Sequence, residues 1–209
     1  MTRPRRIVLP LSVILLSLAA LGCGIVARNE IALAALMRAS VPDKNGVPNP
    51  DALGATLAGA DACSSPCSAR YELAIARGYA ALADGDTQMR MAKAGLIHAR
   101  RAIAARPAWG EAEVLRAYLA DTAGDAGEAR RALADSYVQP YLRRSALWRI
   151  GYAARDWAAL DPAVREAVLR EAVWYGTIEH ADRRAVEKIL GDSAAAARFQ
   201  RLMPADPEP

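Results

Sequence analysis

Hydrophobic residues are distributed in two different ways along the chain, and the difference separates an N-terminal segment from a body. Residues 7–27 form an unbroken run without a charged side chain. As a helix this run is about 31 Å long, close to the thickness of the hydrocarbon core of a bilayer. The three arginines before it, Arg3, Arg5 and Arg6, favour a cytoplasmic N-terminus by the positive-inside rule. The pattern predicts a cytoplasmic tail and a transmembrane anchor in residues 1–28.

Two removable signals are alternatives for the same segment. The sequence Leu-Ala-Ala-Leu-Gly-Cys at residues 18–23 resembles a lipoprotein signal, in which Cys23 would be acylated after cleavage. A secretory signal peptide is the other alternative, although its apolar region is normally shorter. All three interpretations place the body outside the cytoplasm. The retained anchor predicts a single-pass protein of a bacterial inner membrane with a periplasmic body.

Beyond the anchor, apolar residues recur at three- and four-residue steps, which is typical of amphipathic helices. Residues 29–67 are predicted to form a juxtamembrane helix over 29–39, a Pro/Gly/Cys-containing linker and a weak helix over 51–62. Residues 204–209 are predicted to be a disordered tail. The helices predicted within residues 68–203 are 70–83, 87–105, 108–123, 126–138, 141–154, 163–176, 181–190 and 193–202.

Short motifs mark several ends of these helices. Pro107 is predicted to open one helix, and Gly124-Asp125 is predicted to be a tight turn between two others. Asp161 followed by Pro162 is typical of an N-cap and a first helical position. Connections this short produce antiparallel hairpins, which stack because none can bury its apolar face alone. The predicted fold class is all-α: a transmembrane helix followed by an α-solenoid of helix hairpins.

Composition and charge narrow the choice of partners. The formal net charge of +4 comes entirely from residues 1–28, which hold four arginines and no acid. The neutral body lacks the basic surface that phosphate backbones require, so we expect no nucleic-acid partner. With one Phe and many alanines, the core is expected to consist of close-packed helices filled by small aliphatic residues, four Trp and seven Tyr.

The cysteines of the body lie in the sequence Cys63-Ser-Ser-Pro-Cys67. In an oxidising periplasm these two thiols are predicted to form a disulfide that fixes the start of the first body helix. A redox-active pair is an alternative, although the usual spacing of two residues is absent. The only histidines, His98 and His180, are far apart in sequence and complete no zinc site. Both are predicted to lie on the surface.

Residues 94–135 resemble tetratricopeptide (TPR) repeats. A helix ends near Ala102 and Pro107, the next hairpin turns at Gly124-Asp125, and Ala129 stands where two helices cross closely. Glu113 and Arg116 depart from the pattern, because the family prefers Trp and Leu there. The resemblance covers about one and a half repeats and implies a degenerate, TPR-like array.

Residues 141–174 are similar to small membrane-anchored, TPR-like proteins of bacterial exopolysaccharide and O-antigen loci. The similarity consists of a Leu/Arg-rich helix, then Gly151, Trp157, Leu160 and Asp161, then an Arg/Val-rich helix. It implies an accessory role in polysaccharide biosynthesis or export, with no catalytic residues. The expected partners are the lipid bilayer and a protein of a membrane-embedded polysaccharide machine.

The chain contains no phosphate-binding loop, nucleophile elbow, HExxH motif or dinucleotide fingerprint. We therefore expect no enzyme activity, cofactor or metal. The acids Glu111, Glu113, Glu166 and Glu171 are predicted to form solvated ion pairs with neighbouring arginines.

Tryptophan and arginine are the remaining candidates for binding. Trp148, Trp157 and Arg144 are predicted contacts of a groove, where aromatic rings would stack on sugars and the cation would pair with an acidic group. Trp109 and Trp174 are further candidates for stacking on sugars, and Arg143 and Arg149 for pairing with acidic sugars. The alternative is that these tryptophans fill the core. The sequence thus predicts a non-enzymatic adapter, with an envelope lipoprotein or a carbohydrate-binding module as alternatives.

Overall fold

The computed structural model describes residues 5–40, 49–60 and 67–203. Helices account for 82% of these residues and none of them lies in a strand, which confirms the predicted all-α class. The predicted tail at 204–209 and most of the predicted linker lie outside the described residues. The helices are α1 Arg5–Ala39, α2 Pro50–Ala60, α3 Ala69–Ala81, α4 Gln88–Ala105, α5 Gly110–Thr122, α6 Ala126–Ser136, α7 Arg143–Arg155, α8 Pro162–Gly176, α9 His180–Leu190 and α10 Ala196–Leu202.

Helix α1 combines a candidate membrane span with a structural part of the body. It is continuous over 35 residues, and Val13–Ala39 is apolar and long enough to cross a membrane. Its last turns nevertheless pack on the body, because Leu33 and Leu36 join a hydrophobic cluster with residues of α2 and α3. The C-terminal end of α1 therefore packs directly on α2 and α3.

We predict that Leu36→Ala lowers the free energy of unfolding by about 2–5 kcal/mol, because Leu36 is 1% exposed and its truncation leaves a cavity between three helices. Ile31→Ala is the matched control, since Ile31 is exposed on the same helix and should change stability by less than about 0.5 kcal/mol. Denaturation of the full-length protein in nanodiscs, followed by circular dichroism, measures both. Equal effects of the two variants would contradict the packing of α1 on the body.

Most of the remaining helices pack on their neighbours in the chain, although α7 also packs on α9. Helices α3 to α6 contact their sequence neighbours, as do α7 to α9, and α10 packs on α8. Helix α3 also contacts α5, and α5 contacts α7. These three alternate helices therefore lie next to one another along one side of the body.

The chain follows a similar path into α5 and α7. Pro107 does not open a helix, contrary to the prediction, because Ala108 after it is in the left-handed region with φ of 60° and α5 starts only at Gly110. Tyr141, after Pro140, has φ of 62° and precedes the start of α7 at Arg143. Both the left-handed residue and the helix start thus recur 33 residues later.

Two predicted helix boundaries are confirmed by their hydrogen bonds. Gly124 has φ of 83°, which glycine adopts without strain, and Asp125 after it accepts a hydrogen bond from the backbone of Glu128 at 2.9 Å. Asp161 accepts one from the Ala163 backbone at 2.7 Å, with Pro162 at the first helical position. These caps explain why the sequence predicted α6 and α8 closely.

Candidate binding groove

A groove follows the side of the body formed by α1, α3, α5 and α7; we call it the inner groove. It consists of three adjoining pockets, of which the first two have volumes of about 400 and 230 Å³. Arg77 and Glu111 line both the first and the second pocket, and Tyr118 and Trp148 line both the second and the third. The pockets therefore form one continuous surface across alternate helices.

Two of the predicted contact residues lie together in this groove. Arg144 and Trp148 are one turn apart on α7, and both line the second pocket. The half-buried ring of Trp148 packs edge-on against Tyr118, with centroids 6.1 Å apart, and stacks on Tyr152 at 5.3 Å. Arg144 is exposed. An aromatic floor therefore lies directly beside a cation.

Trp157, the third predicted contact residue, has a different place. It lies in a 3₁₀ turn after α7, is 7% exposed and belongs to the main hydrophobic core. None of the described pockets of the inner groove is lined by it. Trp157 therefore fills the core, in line with the alternative considered for the tryptophans.

Arg70 and Arg77 line the groove but were not predicted from sequence, whereas Trp109 was among the tryptophans considered for stacking on sugars. Trp109 lines the first pocket together with Arg70, and the guanidinium of Arg106 lies 4.7 Å from the centre of the Trp109 ring. Arg77 pairs with Glu111 across α3 and α5 at 3.1 Å. Arg70 and Arg77 are seven residues apart on the same helix, so their spacing was the available signal that both occupy one face.

Arg149 was predicted as a candidate for acidic sugars, but it is completely buried together with Glu171. Arg149 donates hydrogen bonds to the carboxylate of Glu171 and to the carbonyl oxygens of Ser136 and Gln139, the latter two at 3.3 Å. Tyr137 donates a further hydrogen bond to Glu171 at 3.0 Å. The predictions that Arg149 binds a ligand and that Glu171 is solvated are therefore wrong.

This buried group joins the end of α6 to α7 and α8. Burial and the neighbouring carboxylate of Glu171 raise the pKa of Tyr137 well above its ordinary value, so the phenol remains a donor. The guanidinium of Arg149 also lies over the Tyr137 ring, 4.5 Å from its centre. Such a network specifies one arrangement of three helices, because losing one member leaves a charge unpaired in the interior.

We predict that Arg149→Met lowers the free energy of unfolding by about 3–5 kcal/mol, because the carboxylate of Glu171 is left buried without its cation. The double variant Arg149→Met/Glu171→Leu should recover part of this loss, since it leaves no unpaired charge. Arg170→Met is the control, because Arg170 is exposed and pairs only loosely with Glu166. Thermal and urea denaturation measure all three. A double variant that is less stable than Arg149→Met would contradict this account.

A second charge cluster, partly buried, connects α4, α5 and α6. Glu113 lies 2.9 Å from Arg116, which also reaches Asp135 at 3.0 Å, and Arg100 pairs with Glu128. The side chain of Glu113 is 7% exposed, so the prediction that it is solvated is wrong. Its Oε2 is the atom that lies 2.9 Å from Arg116, but the two groups are not aligned for a hydrogen bond. Burial raises the pKa of Glu113 above its ordinary value despite the attraction of Arg116.

The raised pKa of Glu113 predicts a pH dependence of stability. The folded protein holds this proton to a higher pH than the unfolded chain does, so the contribution is present at low pH and is lost as pH rises through the folded pKa. Glu113→Gln should remove this loss, and its stability relative to the unmodified protein should therefore increase between pH 4 and pH 7. Exposed Glu166→Gln is the control. A pH-independent difference for Glu113→Gln would overturn the assignment.

His98 also differs from its prediction as a surface residue. It is 7% exposed, its Nδ1 lies 2.6 Å from the Glu72 carboxylate, and its ring stacks on Tyr79. His180 is exposed, as predicted. Within residues 5–40, 49–60 and 67–203, no group of three or more His, Cys, Asp or Glu side chains is arranged to hold a metal ion.

The predicted disulfide falls partly outside the described residues. Cys67 is disulfide-bonded, whereas Cys23 is a free, exposed thiol. Cys63, the partner predicted from the sequence, lies in the segment 61–66 that the structure does not describe. The pairing of Cys63 with Cys67 therefore stays a prediction.

Comparison with known proteins gives no relative: no family model, no curated protein and no solved structure matches this chain. The inner groove and the helix that joins it to the candidate membrane span are therefore the features from which a function is inferred.

Proposed function

We propose that the chain is a non-enzymatic, membrane-anchored adapter whose inner groove binds a partner protein. In this proposal α1 crosses the bacterial inner membrane with the N-terminus in the cytoplasm, and the helical body is periplasmic. The observation that carries the proposal is the groove across α3, α5 and α7, where the Trp148 ring and the exposed Arg144 lie side by side. Half-buried aromatic residues next to arginine are typical of surfaces that contribute most of the energy of protein association.

The arrangement of the helices supports a TPR-like array as the scaffold of this groove. In repeat arrays of helix hairpins, each hairpin packs mainly on its neighbours, and the resulting curvature produces an extended concave binding surface. The contacts of α3 with α5 and of α5 with α7 agree with such stacking. The recurrence over 33 residues before α5 and α7 is close to the 34-residue period of TPR repeats.

The anchored location is supported by the length and composition of α1. An apolar helix near the N-terminus is also what a signal sequence would form, and the lipoprotein alternative uses the exposed Cys23 of the same helix. The retained anchor is favoured because the apolar run continues past Cys23 to Ala27 within one unbroken helix. Confinement to the membrane would raise the effective concentration near a membrane-embedded partner.

The proposed pathway, accessory to exopolysaccharide or O-antigen biosynthesis or export, follows from the resemblance of residues 141–174. These residues correspond to α7, the following 3₁₀ turn and most of α8. A second candidate function is direct carbohydrate binding. It is favoured by the aromatic row of Tyr118, Trp148 and Tyr152 beside Arg144, because flat rings stack on sugars.

Photocrosslinking in intact membranes tests the adapter function. A benzophenone amino acid at Leu115, in the groove, should capture one protein species, and Trp148→Ala should reduce this capture by about tenfold or more. The same amino acid at exposed Arg101 on α4 is the control and should not capture that species. Arg144→Ala removes only an exposed side chain. A loss of capture in this variant therefore reports loss of binding and not loss of folding.

The outcomes distinguish the candidate functions. Capture of the same protein from Leu115 and Arg101 would overturn the adapter proposal, and capture of glycan without protein would favour the carbohydrate-binding candidate. Deletion of the gene should reduce surface polysaccharide, with recovery on return of the unmodified gene. Unchanged polysaccharide would overturn the pathway while leaving the adapter function intact.

A further inference from the structure

The charges that line the inner groove are unbalanced. Four arginines line its three pockets, Arg70, Arg77, Arg144 and Arg155, against two acids. Arg77 is paired with Glu111 at 3.1 Å, and Arg155 is paired with Asp121 at 2.9 Å. Arg70 and Arg144 are exposed, and neither forms an ion pair with any residue that the structure describes. The groove therefore offers two cations that can pair with an occupant.

Apolar side chains lie between these two cations. In the second pocket, Val114, Leu115 and Tyr118 of α5 face Trp148 of α7, and Arg144 stands at the side. In the first pocket, Leu33, Leu36 and Met37 of α1 accompany Arg70. An occupant that satisfies both features must be amphipathic, with an apolar face for the floor and carboxylates along its edge.

The first pocket also lies close to the predicted membrane surface. Met37 is ten residues beyond Ala27, the last residue of the uncharged run, which is about 15 Å along the continuous helix α1. The headgroup region of a bilayer occupies about 5–8 Å of that distance. A segment that leaves the same membrane would reach the groove within a few residues.

We infer that the inner groove binds an acidic amphipathic helix that directly adjoins a transmembrane segment of a partner in the same membrane. The inference rests on the proposed adapter function. A helix suits the groove because its backbone hydrogen bonds are internal, whereas an extended peptide that binds by strand addition needs a sheet edge, which the described helices do not offer. Carboxylates of the occupant would pair with Arg70 and Arg144, and its apolar face would cover Leu115 and Trp148.

Selection from a defined peptide library tests this inference. A library of 16-residue amphipathic peptides, with randomised acidic and basic positions beside a fixed apolar face, is selected on the full-length protein in zwitterionic nanodiscs. The enriched peptides should be net acidic, and their binding should weaken as salt increases. Arg70→Ala/Arg144→Ala should raise the dissociation constant by about tenfold or more, because two charge-assisted contacts are lost. Arg70→Glu/Arg144→Glu should reverse the selection towards basic peptides.

Controls separate this inference from the adapter function. Arg90→Glu/Arg101→Glu changes two exposed arginines on α4 and should leave the selection unchanged. Neutral or basic peptides that bind the unmodified protein and require Trp148 would overturn the inference but keep the adapter. If no peptide binding depends on Trp148, or if an oligogalacturonate occupies the groove in place of peptides, both proposals are overturned.

Discussion

Close contact between helices through alanine and glycine is the constraint on which the body depends. Alanines with no exposed surface occur on every helix from α3 to α8, among them Ala76, Ala99, Ala129 and Ala172. A Cβ atom added at Gly95 would lie 3.0 Å from the Tyr79 Cβ and 3.2 Å from the Ala76 carbonyl oxygen, so α3 and α4 approach too closely to admit one without a shift. Larger side chains must then lie beside the helix contacts, and this is how Tyr118 and Trp148 come to line the groove.

The same constraint explains why charged residues are buried in an array of small side chains. Where α6, α7 and α8 meet, the space is filled by the long side chain of Arg149, which also satisfies two carbonyl oxygens at the end of α6. Glu171 balances its charge, and both side chains are completely buried. Replacing such a pair by apolar residues of similar volume is often tolerated, whereas removing one partner is not. The pair therefore contributes specificity of helix arrangement more than net stability.

The helices were predictable because their signals are local, whereas the buried charges depend on contacts between distant residues. The caps at Asp125 and Asp161 and the three- and four-residue periodicity placed α6 and α8 within a few residues of their observed bounds. The wrong start at Pro107 came from the left-handed Ala108, an unusual conformation for alanine. Arg149 lies three residues after buried Ala146, and Glu171 three after buried Val168. Each of these two helices thus carries one charged residue on its apolar face, and the two charges are opposite. This pattern was the signal in the sequence for a buried ion pair.

The groove itself follows from the order of the helices, and α1 gives it a fixed relation to the candidate membrane span. Arg144 and Trp148 were predictable as a pair because they are one turn apart, but Arg70, Trp109 and Met37 join them only through the contacts among α1, α3 and α5. Because α1 continues without a break into the hydrophobic cluster of the body, rotation of the body about a flexible linker is restricted. If α1 spans a membrane as proposed, such a groove would lose less orientational freedom on binding than a freely tethered one, which would lower the entropic cost of binding a partner in the same membrane.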